Sequence, residues 1–375
     1  MRITSMNELP ATEPLKPSIL RQSPEALRAQ CGLWGEKSFR VTQLCQWLFE
    51  RRHYHLETMS NLPASFKTKL REHFDWQLPS IASRLDSADG ASKILVHGKK
   101  NQFIELVILR YAERVSLCVS SQVGCKLACT FCQTGKLGFF RNLLAEEIVG
   151  QFILANDVVA SEGRAISHIV FMGMGEPLDN VHEVIPALKL FTAPDCFGLS
   201  HRRVTLSTSG IVDKIMPLAQ EVRVALAVSL HAPNDELRSS LMPINRRFPL
   251  ADLKRELLLF QKHSGDLVTI EYILLKGINC SERQAKELVH FLHGLRAKIN
   301  LIPFNAHPGS EFQRPDEDEI RSFQSYLAKR GYPAPVRYSK GADVSGACGQ
   351  LAAKQQAMLQ DLPQRKNIIR GSQAQ

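Results

Sequence analysis

The chain has 375 residues, 44% of them apolar and 22% charged, which excludes a mostly disordered chain, a fibre and a scaffold too small to build a core. Its 47 basic residues outnumber 37 acidic ones, for a net charge of +10. The excess flanks a slightly acidic middle, with +5 over 1–100, −3 over 101–200, +5 over 201–300 and +3 over 301–375, a balance that suits a polyanion held from both ends.

Nine cysteines at uneven gaps do not make a disulfide framework in a chain this long. Residues 1–20 carry Glu and Pro and lack the apolar stretch of a secretion signal, and no window of 18 apolar residues occurs. These features predict a cytoplasmic, reducing location away from membranes.

In chain order, residues 1–24 are polar and Pro-spaced, which predicts a flexible arm. Residues 25–88 read as a small helical accessory domain. One helix opens at Pro24-Glu25, a second covers 39–49, and a third follows Leu62-Pro63 and runs to Phe74, carrying Lys67, Lys69 and Arg71. Residues 77–90 read as a connector. Two apolar runs, 92–97 and 103–109, then form a β-hairpin around the polar stretch 98–102.

Beyond the hairpin the chain repeats a unit of strand, turn and helix. Candidate strands cover 115–120, 168–172, 203–207, 222–230, 268–274 and 298–304, with helical crossovers at 144–155, 181–191, 249–263 and 282–295. The spacing predicts an α/β domain over 89–345 with a largely parallel sheet, its chemistry at the C-terminal edge of the strands. Periodicity leaves open whether the sheet closes into a barrel. Residues 346–375 form a last segment containing Cys348, in a Gly-rich and flexible setting.

The sharpest local signal is Cys125, Cys129 and Cys132, at offsets 0, 4 and 7 just after the first core strand. Thiolates are soft ligands that select zinc or iron–sulfur clusters. A structural zinc takes four protein ligands, and no fourth Cys or His follows at a usual zinc spacing. A [4Fe–4S] cube held by three cysteines leaves one iron open. Three ordinary half-buried cysteines, or a zinc-stabilised RNA-binding scaffold without catalysis, remain the alternatives from the residues alone.

CxxxCxxC after the first strand resembles the signature of the radical S-adenosylmethionine (SAM) superfamily. The further strings Gly173-Met174-Gly175-Glu176-Pro177, Arg203-Val204-Thr205-Leu206-Ser207-Thr208-Ser209-Gly210, Ser229-Leu230-His231-Ala232-Pro233-Asn234-Asp235 and Ala347-Cys348-Gly349-Gln350-Leu351 resemble the RlmN/Cfr family of RNA adenine methyltransferases, from about Phe39 to Leu351. The resemblance implies a partial (β/α)6 TIM-like radical SAM barrel with a helical RNA-binding accessory domain and a β-hairpin extension.

It also implies the site. Cys125, Cys129 and Cys132 hold one [4Fe–4S] cluster whose open iron binds SAM. Gly175, Glu176, Ser207, Ser229, Leu230, His231 and Asn305 contact SAM, and Phe131 packs near its adenine. One SAM methylates Cys348, and a second yields the 5′-deoxyadenosyl radical that takes a hydrogen atom from that methyl group. The resulting methylene radical adds to the purine. Cys118 attacks the sulfur of Cys348 to release the base, and Glu105, on a half-exposed strand, accepts the proton. Two SAM are consumed per methyl group.

The implied substrate is carbon-2 of an adenosine in 23S rRNA, with the adenosine beside the tRNA anticodon as a second target. Carbon-8 chemistry of the Cfr kind is the alternative. Implied partners are an electron donor of flavodoxin or ferredoxin type and a thiol reductant, and the chain is expected to be a monomer. Tyr338 and Lys340 depart from the more polar run of the housekeeping branch, while Asp343 is retained. Cys31, Cys45, Cys196 and Cys280 match no catalytic motif and read as packing residues.

Overall fold

The structure is a computed structural model that describes residues 16–307 and 309–351. Residues 1–15 of the expected arm and 352–375 of the expected tail lie outside the described residues. The chain divides into two units, Met1–Leu78 and Pro79–Gln375.

The first unit is built from three helices. Helix α1 (Pro24–Leu33) starts with Pro24 in its first turn and the Ser23 hydroxyl accepting from the Ala26 N–H. Helix α2 (Ser38–Cys45) runs into a single π turn over Gln46–Glu50, and α3 (Ala64–His73) follows Pro63. Leu27, Cys31, Val41, Leu44, Phe66 and Leu70 are buried, as helical spacing predicts. Within the expected arm, the described residues from Ser18 onward are packed rather than loose. Ser18 bridges to Asp75, and Ile19 and Leu20 are buried, so the chain is already packed there. The cations of α3 are partly engaged: Lys69 pairs with Glu36 at 2.7 Å and Arg71 with Glu57.

In the second unit the chain runs through β1 (Ile81–Asp86), β2 (Ala91–His97), β3 (Phe103–Arg110), β4 (Val115–Cys118), β5 (Gln122–Gly124), α4 (Gln133–Leu137), β6 (Phe139–Asn142), α5 (Ala145–Ala160), β7 (His168–Phe171), α6 (Val181–Thr192), β8 (Val204–Thr208), α7 (Ile215–Glu221), β9 (Ala225–Ser229), α8 (Asp235–Leu241), α9 (Leu250–Ser264), β10 (Val268–Leu274), α10 (Glu282–Leu292), β11 (Ala297–Pro303) and α11 (Glu317–Ala328). Nine strands form one sheet in the order β1-β2-β3-β4-β7-β8-β9-β10-β11, and β5 and β6 pair separately. From β4 to β11 every neighbour is parallel, and the first four strands are antiparallel. The six parallel strands are those predicted.

Among the described residues no pair joins β11 back to the first strands, so their sheet is an arc rather than a closed barrel. It is nevertheless curled, since side chains of β3 and β11 line one cavity.

The connector expected over 77–90 contains β1, which pairs with β2 from Ile81↔Val96 to Asp86↔Ser92. That places residues 79–88 in the larger unit, and the accessory domain ends at Leu78 rather than at residue 88. β1 is an exposed edge strand, so no continuous apolar run marks it. β10, paired on both sides, is buried at all seven positions, and such strands read as apolar runs because helices cover the outer face. No helix among the described residues is long and apolar enough to cross a membrane.

The open side of the arc is crossed by the chain after α11. Val336 bridges to Leu301 of β11. Lys340 Nζ then donates to the carbonyls of Asp89 and Arg110, at 2.6 and 2.9 Å, at the β2–β3 side. The Lys93 ammonium donates to Ser345 O at 3.2 Å, and the Gln133 N–H to Gly349 O at 2.8 Å. This strap runs from one edge of the sheet to the other and brings Cys348 with it.

Candidate active site

The three motif cysteines lie between β5 and α4. β5 and β6 pair at the base of this loop, and the Cys125 N–H donates to Gly138 O at 2.9 Å. Gly124 has φ +76, and a Cβ there would stand 1.9 Å from Gly138 O. We expect Gly124→Ala to cost about 3 kcal/mol, from a left-handed backbone plus a backbone clash. Thermal unfolding and iron content after reconstitution check this, and both should fall.

The loop is held from outside by α8 and its surroundings. The Thr130 N–H donates to Leu241 O at 3.0 Å, and Phe131 packs with Ala232, Leu241, Met242 and Phe304. Burial pushes the Cys125 thiol up to about 12 and Cys129 well above the usual thiol range, and each is raised further by the charge of Cys132 and of Glu176.

Arg238 of α8 is fully buried. Its guanidinium donates to Ser209 O (2.7 Å), Asn245 Oδ1 (2.8 Å), Leu230 O (3.1 Å) and Ser229 O (3.1 Å). Burial lowers it to about 10 while Cys129 and Asp235 raise it, so it keeps its charge at neutral pH. A buried cation that feels the charge of Cys129 suits an anionic, thiolate-bound group. Among the described residues no three His, Cys, Asp or Glu side chains gather around a single ion. Three soft thiols in one loop, whose charges act on one another, have the donor chemistry of a thiolate-held iron cluster.

The expected SAM contacts lie at or just after the C-terminal ends of β7, β8, β9 and β11. Gly173 and Gly175 are close-packed, but against protein. A Cβ at Gly173 would meet Ser120 Oγ and Val119 O, both at 2.7 Å, and one at Gly175 would meet Gln122 Cβ at 2.5 Å. These glycines thus allow the close approach of the chain after β7 to the β4–β5 turn and to β5.

Glu176 is buried and joins two strand ends. Its carboxylate accepts from the Ser209 N–H at 2.7 Å and the Leu178 N–H at 3.1 Å. Burial raises its pKa, and the bonds from Ser209 and Thr208 oppose that rise.

Ser207 is nearly buried within β8, and Ser229 stands opposite Glu271 in the β9–β10 ladder. Leu230 is fully buried, and its N–H donates to Glu271 O. His231 has φ +59. Its Nδ1 accepts from the Ile273 N–H at 3.0 Å, its ring meets Phe131 edge-on at 5.0 Å, and burial lowers its pKa to about 3. It is therefore a neutral imidazole with its proton on Nε2. Asn305 follows β11 and donates to Ser339 Oγ at 2.8 Å.

Inside the arc is a cavity of about 270 Å³. Cys118 and Cys348 both line it, although they are far apart in sequence and on different elements. Cys348 is accessible from the cavity yet ringed by protein. Those surroundings push its thiol up to about 12, with smaller contributions from the charges of Cys132 and Glu271. Cys118 is likewise pushed to about 12, by burial first and by Cys348 second. One of the expected cluster ligands and both other cysteines thus influence one another. The described part of the final segment is anchored rather than flexible: Thr134 Oγ1 donates to Leu351 O at 2.9 Å, and Ala347, Gln350 and Leu351 are buried.

Glu105 does not sit on a half-exposed strand. It is fully buried and pairs with Lys93 of β2 at 3.1 Å. It shares the inner face of β3 with Val107 and Leu109, which line the cavity, but is not itself part of the lining.

Sequence reasoning missed Glu271, Arg238 and Lys93. Glu271 lines the cavity, accepts from Asn300 Nδ2 at 2.8 Å, and is pushed up to about 7 by burial against the opposing effects of Asn300, Arg337 and Lys298. A single charged residue in the mostly apolar run 268–274 was the signal that could have found it.

Comparisons with known proteins identify the family. Residues 119–291 match the radical SAM superfamily, and residues 19–75 match the ribosomal RNA large subunit methyltransferase N-terminal domain. The chain is 42% identical over 348 residues to the dual-specificity RNA methyltransferase RlmN of Marinomonas sp., covering 91% of this chain and 94% of that protein. It is 44% identical to the protein of that name from Syntrophobacter fumaroxidans, covering 85% and 93%. A radical SAM methyltransferase from Sphaerobacter thermophilus superposes with a TM-score of 0.85 at 38% identity, covering 89% of this chain and 98% of that one. The chain therefore belongs to the RlmN family of radical SAM RNA methyltransferases, enzymes that work with a [4Fe–4S] cluster and S-adenosylmethionine.

Proposed function

We propose that this enzyme methylates carbon-2 of one adenosine in 23S rRNA and of the adenosine beside the tRNA anticodon. The observation that carries the reading is the meeting of Cys118 and Cys348 in one cavity next to the Cys125–Cys129–Cys132 loop. Carbon-2 of adenine carries no acidic proton, so a base and a methyl donor alone do not alkylate it, and a thiol that carries the carbon answers that difficulty.

Cys125, Cys129 and Cys132 would hold the cluster, and Gly175, Glu176, Ser207, Ser229, Leu230, His231 and Asn305 would hold SAM. When bound, the pair supplies one-electron cleavage of SAM and thereby hydrogen-atom abstraction. The chain's own residues do the rest. Cys348 Sγ carries the one-carbon unit. Cys118 Sγ, giving up its proton, attacks Cys348 Sγ; an S–S bond forms, and the S–C bond to the carbon on the purine breaks with its electron pair left on that carbon, which takes up one proton to complete the methyl group. The proton lost from carbon-2 is assigned to Glu105, which shares the inner face of β3 with the cavity-lining Val107 and Leu109 and whose charge the Lys93 ammonium stabilises. A thiol reductant restores both cysteines, and a small electron carrier of flavodoxin or ferredoxin type restores the cluster.

The N-terminal unit is the RNA-binding accessory, supported by the match over residues 19–75. The test is anaerobic incubation with 23S rRNA or tRNA, reductant and SAM, followed by mass spectrometry of nucleosides. We expect 2-methyladenosine at one position in each RNA. Only 8-methyladenosine would overturn the choice of carbon, and no methylated adenosine would overturn the reading.

A further inference from the structure

An acid inside a cavity that takes a polyanion is unfavourable unless it reads a donor. Glu271 is such an acid. It is 5% exposed and lines the cavity that holds Cys118 and Cys348. Its position on β10 is fixed from both sides in the parallel ladder, opposite Ser229 of β9 and Asn300 of β11. Asn300 Nδ2 donates to Glu271 Oε1 at 2.8 Å, while Oε2 has no hydrogen-bond partner among the described residues. Arg337 Nε donates in turn to Asn300 Oδ1 at 3.4 Å. Lys298 and Arg337 also line the cavity and offset the acid's charge toward an incoming phosphate chain. The carboxylate is therefore oriented, charge-balanced and one acceptor short of saturation.

We propose that Glu271, oriented by Asn300, is the specificity-determining residue for the target base, its Oε2 accepting a hydrogen bond from the exocyclic amine of adenine. This rests on adenosine in RNA being the substrate. A purine without that amine leaves the acceptor unpaired, and one with an oxygen in its place sets two acceptors against each other. A buried polar group built to bond a substrate donor rejects analogues that lack it far better than an apolar pocket does.

The test uses the reconstituted holoenzyme and rRNA fragments that carry either adenosine or purine riboside, adenine without its amine, at the target position. The native enzyme is expected to prefer adenosine by roughly 10- to 100-fold in kcat/KM. Glu271→Gln should reduce that preference to about threefold or less, because its amide presents a donor as well as an acceptor. Iron content and thermal midpoint should stay unchanged. Asn300→Ala, which leaves the carboxylate but removes its anchor, should lower the preference severalfold and decides the matter if Glu271→Gln does not load iron.

Equal losses on both RNAs would make Glu271 merely structural, and an unchanged preference would refute its contact with the amine. If the native enzyme methylates neither RNA, the substrate assignment fails instead, which keeps the two failures distinct.

Discussion

Replacing Cys348 by alanine is expected to reduce methyl transfer to RNA by on the order of 10³-fold or more, since a covalent carrier has no substitute in the cavity. Iron content should remain near the native level, because Cys348 lies outside the ligand loop. Cys118→Ala should behave differently. The carbon would still reach the base, but nothing would attack Cys348 Sγ to free it, so the product is a chain covalently joined to RNA. Denaturing gels with labelled RNA separate the two outcomes. Free methylated RNA from the Cys118→Ala chain would falsify the division of labour between the two thiols, which rests on their lining one cavity.

The second large effect is expected at Arg238. Four acceptors, the carbonyls of Ser209, Ser229 and Leu230 and the side-chain oxygen of Asn245, receive hydrogen bonds from this one guanidinium. Arg238→Met removes every donor at once. Leaving several buried acceptors unsatisfied costs on the order of 4 kcal/mol, visible as a fall of roughly 10 °C in the thermal midpoint of the metal-free chain. The strand ends that Arg238 ties are those expected to hold SAM, so SAM affinity should fall as well. Arg238→Lys keeps the charge but lacks the fork geometry and should lie in between. A metal-free Arg238→Met chain as stable as the native one would show that the bonds carry no net stability.

The six parallel strands were legible because each is a short apolar run bounded by turn residues, and the cysteine motif because its spacing is rare. What the sequence hid follows from geometry. β1 is an exposed edge, so it lacks the apolar run that marks a buried strand. β5 and β6 are too short for any periodicity to register, although their pairing shapes the ligand loop. Glu105 was expected on a half-exposed strand because a lone acid usually faces solvent, whereas Lys93 of the neighbouring strand allows its burial. Arg238 and Glu271 are polar residues inside the fold, and only the positions of distant strands reveal what surrounds them. Tyr338 and Lys340, the departures noted in the sequence, belong to the strap; Lys340 caps the β2–β3 side, and Tyr338 stays exposed with its hydroxyl donating to Glu317.

The strap has a consequence for how this chain tolerates insertion and deletion. Between Val336, fixed to β11, and Gly349, fixed to Gln133, the backbone has a set distance to cover and a thiol to deliver at its end. One residue more or fewer in that interval would shift the register of Cys348 by about 3.5 Å, beyond what a sulfur–sulfur exchange with Cys118 tolerates. Length changes should therefore be harmless on the outer loops and silence the enzyme here, even where no named side chain is altered.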